Sequence, residues 1–200
     1  MLVVLLTFPA FAEPLSVPPG KQPSAEQMSS FRAAALRGDV RKLFALALAY
    51  GGGLGVAKDP LEAAKWCRMA ADQGDPDAQA VLALMYYQGL GVAQSYPDAV
   101  KWNRKAAGQG HASAQSHLGG MYYQGLGVTQ SYAEAAKWFR MAADQGNVGA
   151  EYNLGVMYVR GLGVAKDPAE AIEWFRKAAR KGEPHAIDLL RQGGIDYQDK

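Results

Sequence analysis

The sequence predicts an all-α fold, an α/α superhelical solenoid of two-helix repeats with a capping helix at each end. The first observation is spacing: the tryptophans fall at one interval of 36 residues, and tyrosines, paired alanines and glycines keep that step. The second observation is an exact repetition, since the segment "YYQGLGV" occurs at both 86–92 and 122–128. A fixed period in this range is the signature of a solenoid of stacked supersecondary units. The tryptophans are Trp66, Trp102, Trp138 and Trp174.

The first residues, 1–12, predict a secretory signal peptide. An apolar run of about ten residues ends in Ala10-Phe11-Ala12, and small residues at these places are typical of cleavage, here before Glu13. The apolar run is short and lacks a basic residue in front of it, and a start codon further upstream would explain both. The alternative interpretation of this run is a buried N-terminal helix or strand. We therefore expect a periplasmic or secreted protein, with no stable membrane insertion after signal cleavage.

The segments around the repeats predict a linker, two caps and a tail. Residues 13–23, "EPLSVPPGKQP", are predicted to be a disordered linker. Over 24–38 the alanine pair and glycine recur one period early, but Ser30 takes the tryptophan position, which indicates a degenerate capping helix. A lone helix over 183–194 is the expected C-terminal cap, because terminal repeats of solenoids are atypical. Residues 195–200 are predicted to be a flexible tail.

The four repeats are predicted at 39–74, 75–110, 111–146 and 147–182. Each consists of a helix A, a glycine-rich loop and a helix B. Helix B begins after an aspartate or serine that is followed three residues later by an acidic residue, which favours helix capping. It carries the tryptophan and the alanine pair and ends at a glycine, the residue typical of helix C-termini.

The glycine-rich loop "GGGLGVAKD" at 51–59 raises the alternative of a phosphate-binding loop. Such loops follow a strand, whereas this one follows a predicted helix and recurs in every repeat. Its lysine, Lys58, is replaced by Gln94 and Gln130 in two repeats. The sequence therefore predicts a structural turn and no cofactor.

The repeat resembles the Sel-one-like repeat, a relative of the tetratricopeptide repeat. The resemblance covers 39–182, with few departures, such as Lys42 for an alanine and Ser95 and Ser131 for the aspartate cap. It implies a superhelical fold and an adaptor or regulatory role, often in envelope signalling, cell-wall assembly or host contact. In the fourth repeat the pattern reads Ala150, Leu154-Gly155, Tyr158, Gly161, Gly163-Val164, Asp167, Ala171, Trp174, Ala178-Ala179 and Gly182.

Composition and residue spacing do not indicate catalysis, metal binding or nucleic-acid binding. The net charge of +2 gives no strong field for nucleic acid. The single cysteine, Cys67, excludes an intramolecular disulfide, and we expect it to be half-buried beside Trp66. His111, His117 and His185 lack the spacing of metal ligands. The sequence therefore predicts no catalytic and no metal-binding residue.

The basic residues of helix B have two interpretations. The recurring arginines are predicted to be structural or outer-surface residues: Arg68, Arg104, Arg140 and Arg176. The cluster of Arg176, Lys177, Arg180 and Lys181 closes a helix, where positive charge is favoured. An alternative for this cluster is a patch for an acidic partner or an anionic lipid.

The face of helix A that points away from helix B varies between repeats and is the predicted partner-binding surface. Aromatic residues and arginine often anchor protein partners, although Tyr87 and Tyr123 could instead pack between repeats. We expect the following residues to lie on the concave surface: Leu84, Tyr87, Gln88, Tyr123, Gln124, Tyr152, Val156 and Arg160.

The function predicted from the sequence is a non-catalytic, monomeric scaffold or adaptor of the bacterial envelope that binds a partner protein or peptide. The alternative is a cell-envelope enzyme or binder that acts on peptidoglycan or β-lactams. Some secreted relatives have been linked to β-lactamase or penicillin-binding activity, but those resemble a cysteine-rich subtype, and this chain has one cysteine.

Overall fold

The fold is that of a computed structural model, which describes residues 23–198. The predicted signal peptide and all of the predicted linker except Pro23 lie outside the described residues. Within them the chain forms ten α-helices and no strand, which confirms the all-α prediction. The helices are α1 Ala25–Leu36, α2 Val40–Gly52, α3 Pro60–Asp72, α4 Pro76–Gln88, α5 Tyr96–Gly108, α6 Ala112–Gln124, α7 Tyr132–Asp144, α8 Val148–Arg160, α9 Pro168–Arg180 and α10 Pro184–Gln192.

Side-chain caps set the starts of the second helix of each repeat. Before α3, Asp59 Oδ1 accepts the backbone N–H of Leu61 at 3.0 Å and that of Glu62 at 3.1 Å. Before α7, Ser131 Oγ accepts the N–H of Glu134 at 3.3 Å. These bonds satisfy N–H groups that have no partner inside the helix.

The chain forms two compact units: α1–α5 belong to the first half and α6–α10 to the second. In the first half each helix packs on the next, around a core that includes Leu43, Leu82 and Trp102. In the second half Phe139, Leu154 and Trp174 share one buried cluster with the alanines of α7. The recurring tryptophans at 66, 102 and 174 are buried, and Trp138 is half-buried.

In each half, a glycine of an A–B loop permits a close approach of two backbones. Gly91 has φ +67°, and a Cβ on it would collide with the carbonyl oxygen of Pro60, the first residue of α3. Gly163 meets Tyr132, the first residue of α7, in the same way. The loop therefore rests on the start of the preceding helix B, and the glycines serve packing.

Residues 195–198, the described part of the predicted flexible tail, contact the last helices. Arg176 Nε donates to the carbonyl of Asp196 at 3.2 Å, and Arg180 Nε donates to that of Tyr197 at 3.0 Å. Ile195 also packs against the cluster of buried residues formed by α8, α9 and α10. Residues 195–198 therefore lie against α9.

Candidate protein-interaction surface

Arginines of helix B bind tyrosines of the next helix A, as their predicted structural role requires. Arg68 donates to the hydroxyl of Tyr86, and its guanidinium carbon lies 5.3 Å from the centre of that ring. Arg140 donates in the same way to Tyr158. Since each contact joins one repeat to the next, these arginines hold the repeats together.

Cys67 is fully buried, so the expectation of a half-buried side chain was wrong. The reason is that α4 covers it: its thiol lies 3.2 Å from the carbonyl oxygen of Ala78 and donates to it. Burial raises the pKa of the Cys67 thiol to about 12, and nearby Asp75 adds to this rise. Because the thiolate is the nucleophilic form, Cys67 is unreactive at neutral pH.

Other groups able to carry chemistry lie apart from one another. Among residues 23–198 no group of three or more histidines, cysteines or carboxylates is placed to hold a metal ion. His111 Nε2 lies 3.2 Å from Asp77 Oδ1, a pair at the rim of the first half. None of the described helices is long and apolar enough to span a bilayer.

In the first half, the predicted surface residues surround a pair of tyrosines. Tyr87 is half-buried, and its ring centre lies 5.3 Å from that of Tyr96, the first residue of α5. Gln94 Nε2 donates to the backbone carbonyl of Tyr87 at 2.8 Å and lies 3.4 Å from the Tyr96 hydroxyl oxygen. Partial burial raises the pKa of Tyr87, with Tyr96 as a smaller cause, so the phenol stays neutral. Leu84 is half-buried and Gln88 is exposed beside this pair.

The second half repeats this arrangement 36 residues later. The ring centres of Tyr123 and Tyr132 lie 5.1 Å apart. Gln130 Nε2 donates to the carbonyl of Tyr123 at 2.8 Å and lies 3.3 Å from the Tyr132 hydroxyl oxygen. Gln124 is exposed next to it. Each half thus presents one tyrosine pair, which we call the first pair (Tyr87 and Tyr96) and the second pair (Tyr123 and Tyr132).

Sequence reasoning missed the residues from helix B and the loop that complete each pair. Their signal is "QSY", which occurs at 94–96 and 130–132, whereas the outer repeats have "KDP" at 58–60 and 166–168. The sequence of helix A alone does not predict the tyrosine pair, because the pairing depends on the loop that brings the two helices together.

Two predicted surface residues are inaccessible. Tyr152 is 2% exposed and Val156 is 3% exposed. The ring of Tyr152 lies 5.7 Å from Phe175 of α9 and 5.9 Å from His185 of α10. Burial raises the pKa of Tyr152. The capping helix and α9 cover this face of α8, so both residues belong to the core, and of the surface residues predicted on α8 Arg160 is the exposed one.

Both tyrosine pairs lie in stretches without charged residues. No Asp, Glu, Lys or Arg occurs between 78 and 97, or between 106 and 133. The polar side chains that these two stretches contribute are amides, hydroxyls and two imidazoles. Together with the aromatic rings, they suit contact with a neutral protein surface.

The stacked two-helix units, with tyrosine pairs in some repeats and not in others, define a class of protein. The class is the helical repeat proteins, in which the exposed residues differ from one unit to the next. The Sel1 repeat family matches residues 43–75, 76–111, 112–147 and 148–183, and the chain belongs to this family. Sel1 repeat proteins generally mediate protein–protein interactions and are generally non-catalytic. No match was found among the curated proteins.

Solved structures with the same repeats are similar to this chain. A protective antigen of uropathogenic Escherichia coli with a Sel1-like repeat fold is 40% identical, with a TM-score of 0.80, over 86% of this chain and 38% of the antigen. A Sel1 repeat protein from Oxalobacter formigenes is 37% identical, with a TM-score of 0.77, over 87% of this chain and 50% of its own. The chain thus spans half or less of these two proteins.

A third structure shows the fold alone. An immunity protein from Pseudomonas aeruginosa is 23% identical, with a TM-score of 0.55, over 88% of this chain and 65% of that protein.

Proposed function

We propose that the protein is a non-catalytic scaffold that binds a partner protein or peptide through the surface around each tyrosine pair. The observation that carries this proposal is the duplication of one geometry, a half-buried tyrosine held against a second ring by a glutamine, in both central repeats. The outer repeats replace the same tyrosines with Gly51 and Pro60, or with Val159 and Pro168. Repeat packing alone therefore does not require them.

The chemistry of the pairs suits a protein partner. A tyrosine offers a large apolar face and one hydroxyl, and it has only two side-chain torsions to fix on binding. In each pair the glutamine fixes the backbone of one tyrosine and approaches the hydroxyl of the other. Such preorganisation lowers the entropy lost on binding. Gln88, Gln124 and the exposed end of Arg160 would supply polar contacts at the rim of their own half.

Site-specific cross-linking tests this surface. A photoreactive residue at Tyr87 or at Tyr123 should capture a partner in the native cells, whereas one at Met69 or Met141 should not. These two methionines are matched controls because they are exposed on helix B, one in each half. With the captured partner purified, Tyr87→Ala or Tyr123→Ala should weaken binding about fivefold or more, the equivalent of about 1 kcal/mol. Equal binding by these variants, with circular dichroism unchanged, would refute the assignment.

We also propose that the scaffold works in the bacterial envelope after export. The apolar start of the chain and the Ala10-Phe11-Ala12 sequence support this proposal. Mass analysis of the protein from fractionated cells should find a mature N-terminus at Glu13 in the periplasmic or secreted fraction. An uncleaved N-terminus in the cytoplasmic fraction would contradict it.

A further inference from the structure

The first described residue, Pro23, lies beside the A–B loop of the first repeat. A capping box fixes the chain at this point, because Ser24 Oγ accepts the backbone N–H of Gln27 at 3.2 Å and Gln27 Oε1 accepts that of Ser24 at 2.8 Å. Pro23 is half-buried, and a Cβ on Gly55 in the loop would collide with its carbonyl oxygen. Residues that precede Pro23 therefore start from a fixed position next to this loop.

The first pair lies at the A–B loop of the next repeat, on the same edge of the first half. The two loops, 53–59 and 89–95, adjoin each other, since Gly91 of the second loop rests on Pro60, which directly follows the first. The first pair flanks the second loop, with one tyrosine in the last turn of α4 and the other at the start of α5. Two helix spacings of about 10 Å each separate equivalent points of neighbouring repeats, so Pro23 lies within about 20 Å of the first pair.

The residues before Pro23 are long enough to reach the first pair. Residues 14–22, "PLSVPPGKQ", are nine residues that lie outside the described part of the chain. A proline-rich segment in the polyproline II conformation extends about 3.1 Å per residue, so this length of chain spans about 28 Å. The reach of the segment therefore exceeds the distance to the pair.

The rings of the first pair offer a surface for proline. Their planes are inclined by 58° with their centres 5.3 Å apart, so the rings do not stack and each keeps a face that the other leaves uncovered. Grooves lined by aromatic rings recognise proline-rich segments in this way. Gln94 Nε2 donates to the Tyr96 hydroxyl oxygen at 3.4 Å, so that hydroxyl keeps its own hydrogen for a carbonyl.

The segment matches this surface in charge and in hydrogen bonding. Residues 14–20 contain Pro14, Pro18 and Pro19 and no charged residue, and the stretch 78–97 around the pair has none either. Contact between them therefore removes no ion from water. A proline has a carbonyl acceptor and no N–H, so it needs a donor from the surface and no acceptor.

We propose that residues 14–22 of the chain bind across its own first pair. Pro18 and Pro19 pack against the tyrosine rings, and a carbonyl beside them accepts from the Tyr96 hydroxyl. Because a short tether gives an effective concentration of about 1 mM, contacts that are weak between separate molecules suffice. The proposal rests on the tyrosine-pair surface of the proposed function and adds a competitor to it, since a partner at the first pair has to displace this segment.

Photo-cross-linking in the purified full-length protein tests this placement without any partner. A photoreactive residue at Gln88, which is exposed beside the pair, should form cross-links to residues 14–22 that peptide mass spectrometry identifies. The same residue at Met69, exposed in the last turn of α3 and thus at the far end of that helix from the loop, should give about fivefold fewer such cross-links or less. A yield at Gln88 no higher than at Met69 would overturn the proposal and would leave the capture of a partner by the tyrosine surface untouched.

Changes in the segment test the role of its prolines. The triple variant Pro14→Ser, Pro18→Ser and Pro19→Ser, with the photoreactive residue at Gln88, should lower the yield of these cross-links about fivefold or more. Circular dichroism checks that the helices are unchanged. A yield equal to that of the parent protein would show that proline is not what the pair binds and would overturn the proposal.

Changes in the pair test the surface itself. Tyr87→Val with Tyr96→Ala should also lower the yield about fivefold or more, and the fold accepts valine at the position of Tyr87 because the fourth repeat has Val159 there. The matched control, Tyr123→Val with Tyr132→Ala, removes the second pair and should change the yield less than about twofold. Equal yields in these two variants would overturn the assignment of the segment to the first pair.

An equal mixture of isotopically labelled and unlabelled protein separates contact within one chain from contact between two chains. The cross-links from Gln88 should join peptides that carry the same label. Mixed products amounting to about half of the total would instead place the segment of one copy on the pair of another, as in domain swapping, and would overturn the proposal.

Discussion

At single residues, a glycine can be required by the backbone angle, by the space around it, or by both. Gly74 has φ +94°, and a Cβ on it would meet no atom within 4 Å. Gly91 also has a positive φ, but a Cβ there would strike the carbonyl of Pro60. The first glycine ends a helix, whereas the second lets one repeat rest on another.

Replacing these two glycines should separate the two requirements. Gly74→Ala should cost about 1–2 kcal/mol, the strain of a left-handed backbone in a residue with a Cβ. Gly91→Ala should cost about 1–3 kcal/mol more, because the backbones must also move apart. Urea unfolding monitored by circular dichroism measures both. Equal losses would show that the loop can shift away from α3 without cost.

Cys67 predicts a pH dependence of stability. Its pKa of about 12 in the fold lies above that of an exposed thiol, so at high pH the unfolded chain loses this proton first. The free energy of unfolding should therefore be unaffected by Cys67 below about pH 8 and should decrease from about pH 9 upward. Urea unfolding of wild type and Cys67→Ala at several pH values checks this prediction. The free energy of unfolding of the wild type should decrease more steeply at high pH than that of the variant, which lacks the thiol. Parallel curves for the two proteins would contradict it.

At the level of single helices, local residues set the ends while neighbouring helices set the burial. The caps were visible in the sequence, because aspartate, serine and glycine have backbone preferences that act locally. The accessibility of α8 was not visible, because Tyr152 and Val156 are covered by α9 and α10. Likewise the partners Tyr96 and Tyr132 depend on how a loop folds back, which no periodicity within one helix encodes.

The start of α7 offers a test in which the other repeats provide the control. Ser131→Ala removes the acceptor for the N–H of Glu134 and should cost about 1 kcal/mol. Ser131→Asp should keep the wild-type stability, because Asp59 and Asp167 cap the equivalent helices through two N–H groups each. Thermal unfolding of the two variants measures the difference. A lower stability of Ser131→Asp than of the wild type would show that aspartate cannot cap α7 as it caps α3 and α9.

At the scale of the whole molecule, each half buries its core through contacts between its successive helices. The 36-residue period predicted the fold class, since the same apolar positions recur in every unit and can be buried only against a neighbour. The period could not predict where the chain departs from its own pattern, as at Glu151 and Lys181. These departures can be interpreted only when the groups that face each other are known.

The fourth repeat has Glu151 and Lys181 where the third has two glutamines, and the effects of replacing these two residues on stability should be strongly coupled. Lys181→Gln leaves the buried carboxylate of Glu151 without its cation and should cost about 2–3 kcal/mol, less than a fully buried pair because Lys181 is 41% exposed. Adding Glu151→Gln should recover most of that loss, since the third repeat holds the same pair of amides at 2.7 Å. Urea unfolding of the two single variants and the double variant completes the cycle. Additive losses would show that the pair contributes nothing as a pair.

The ion pair of the last repeat also bears on how near-identical repeats find their own partners while the chain folds. A helix A of one repeat could collapse onto the helix B of another, because their apolar positions match. The carboxylate of α8, however, meets an ammonium only at the end of α9, since the earlier helices B are followed by Gln73, Gln109 and Gln145. An α8 packed on any of these would bury its charge without compensation, at a cost of several kcal/mol. The pairing of Glu151 with Lys181 therefore disfavours the packing of α8 on an earlier helix B.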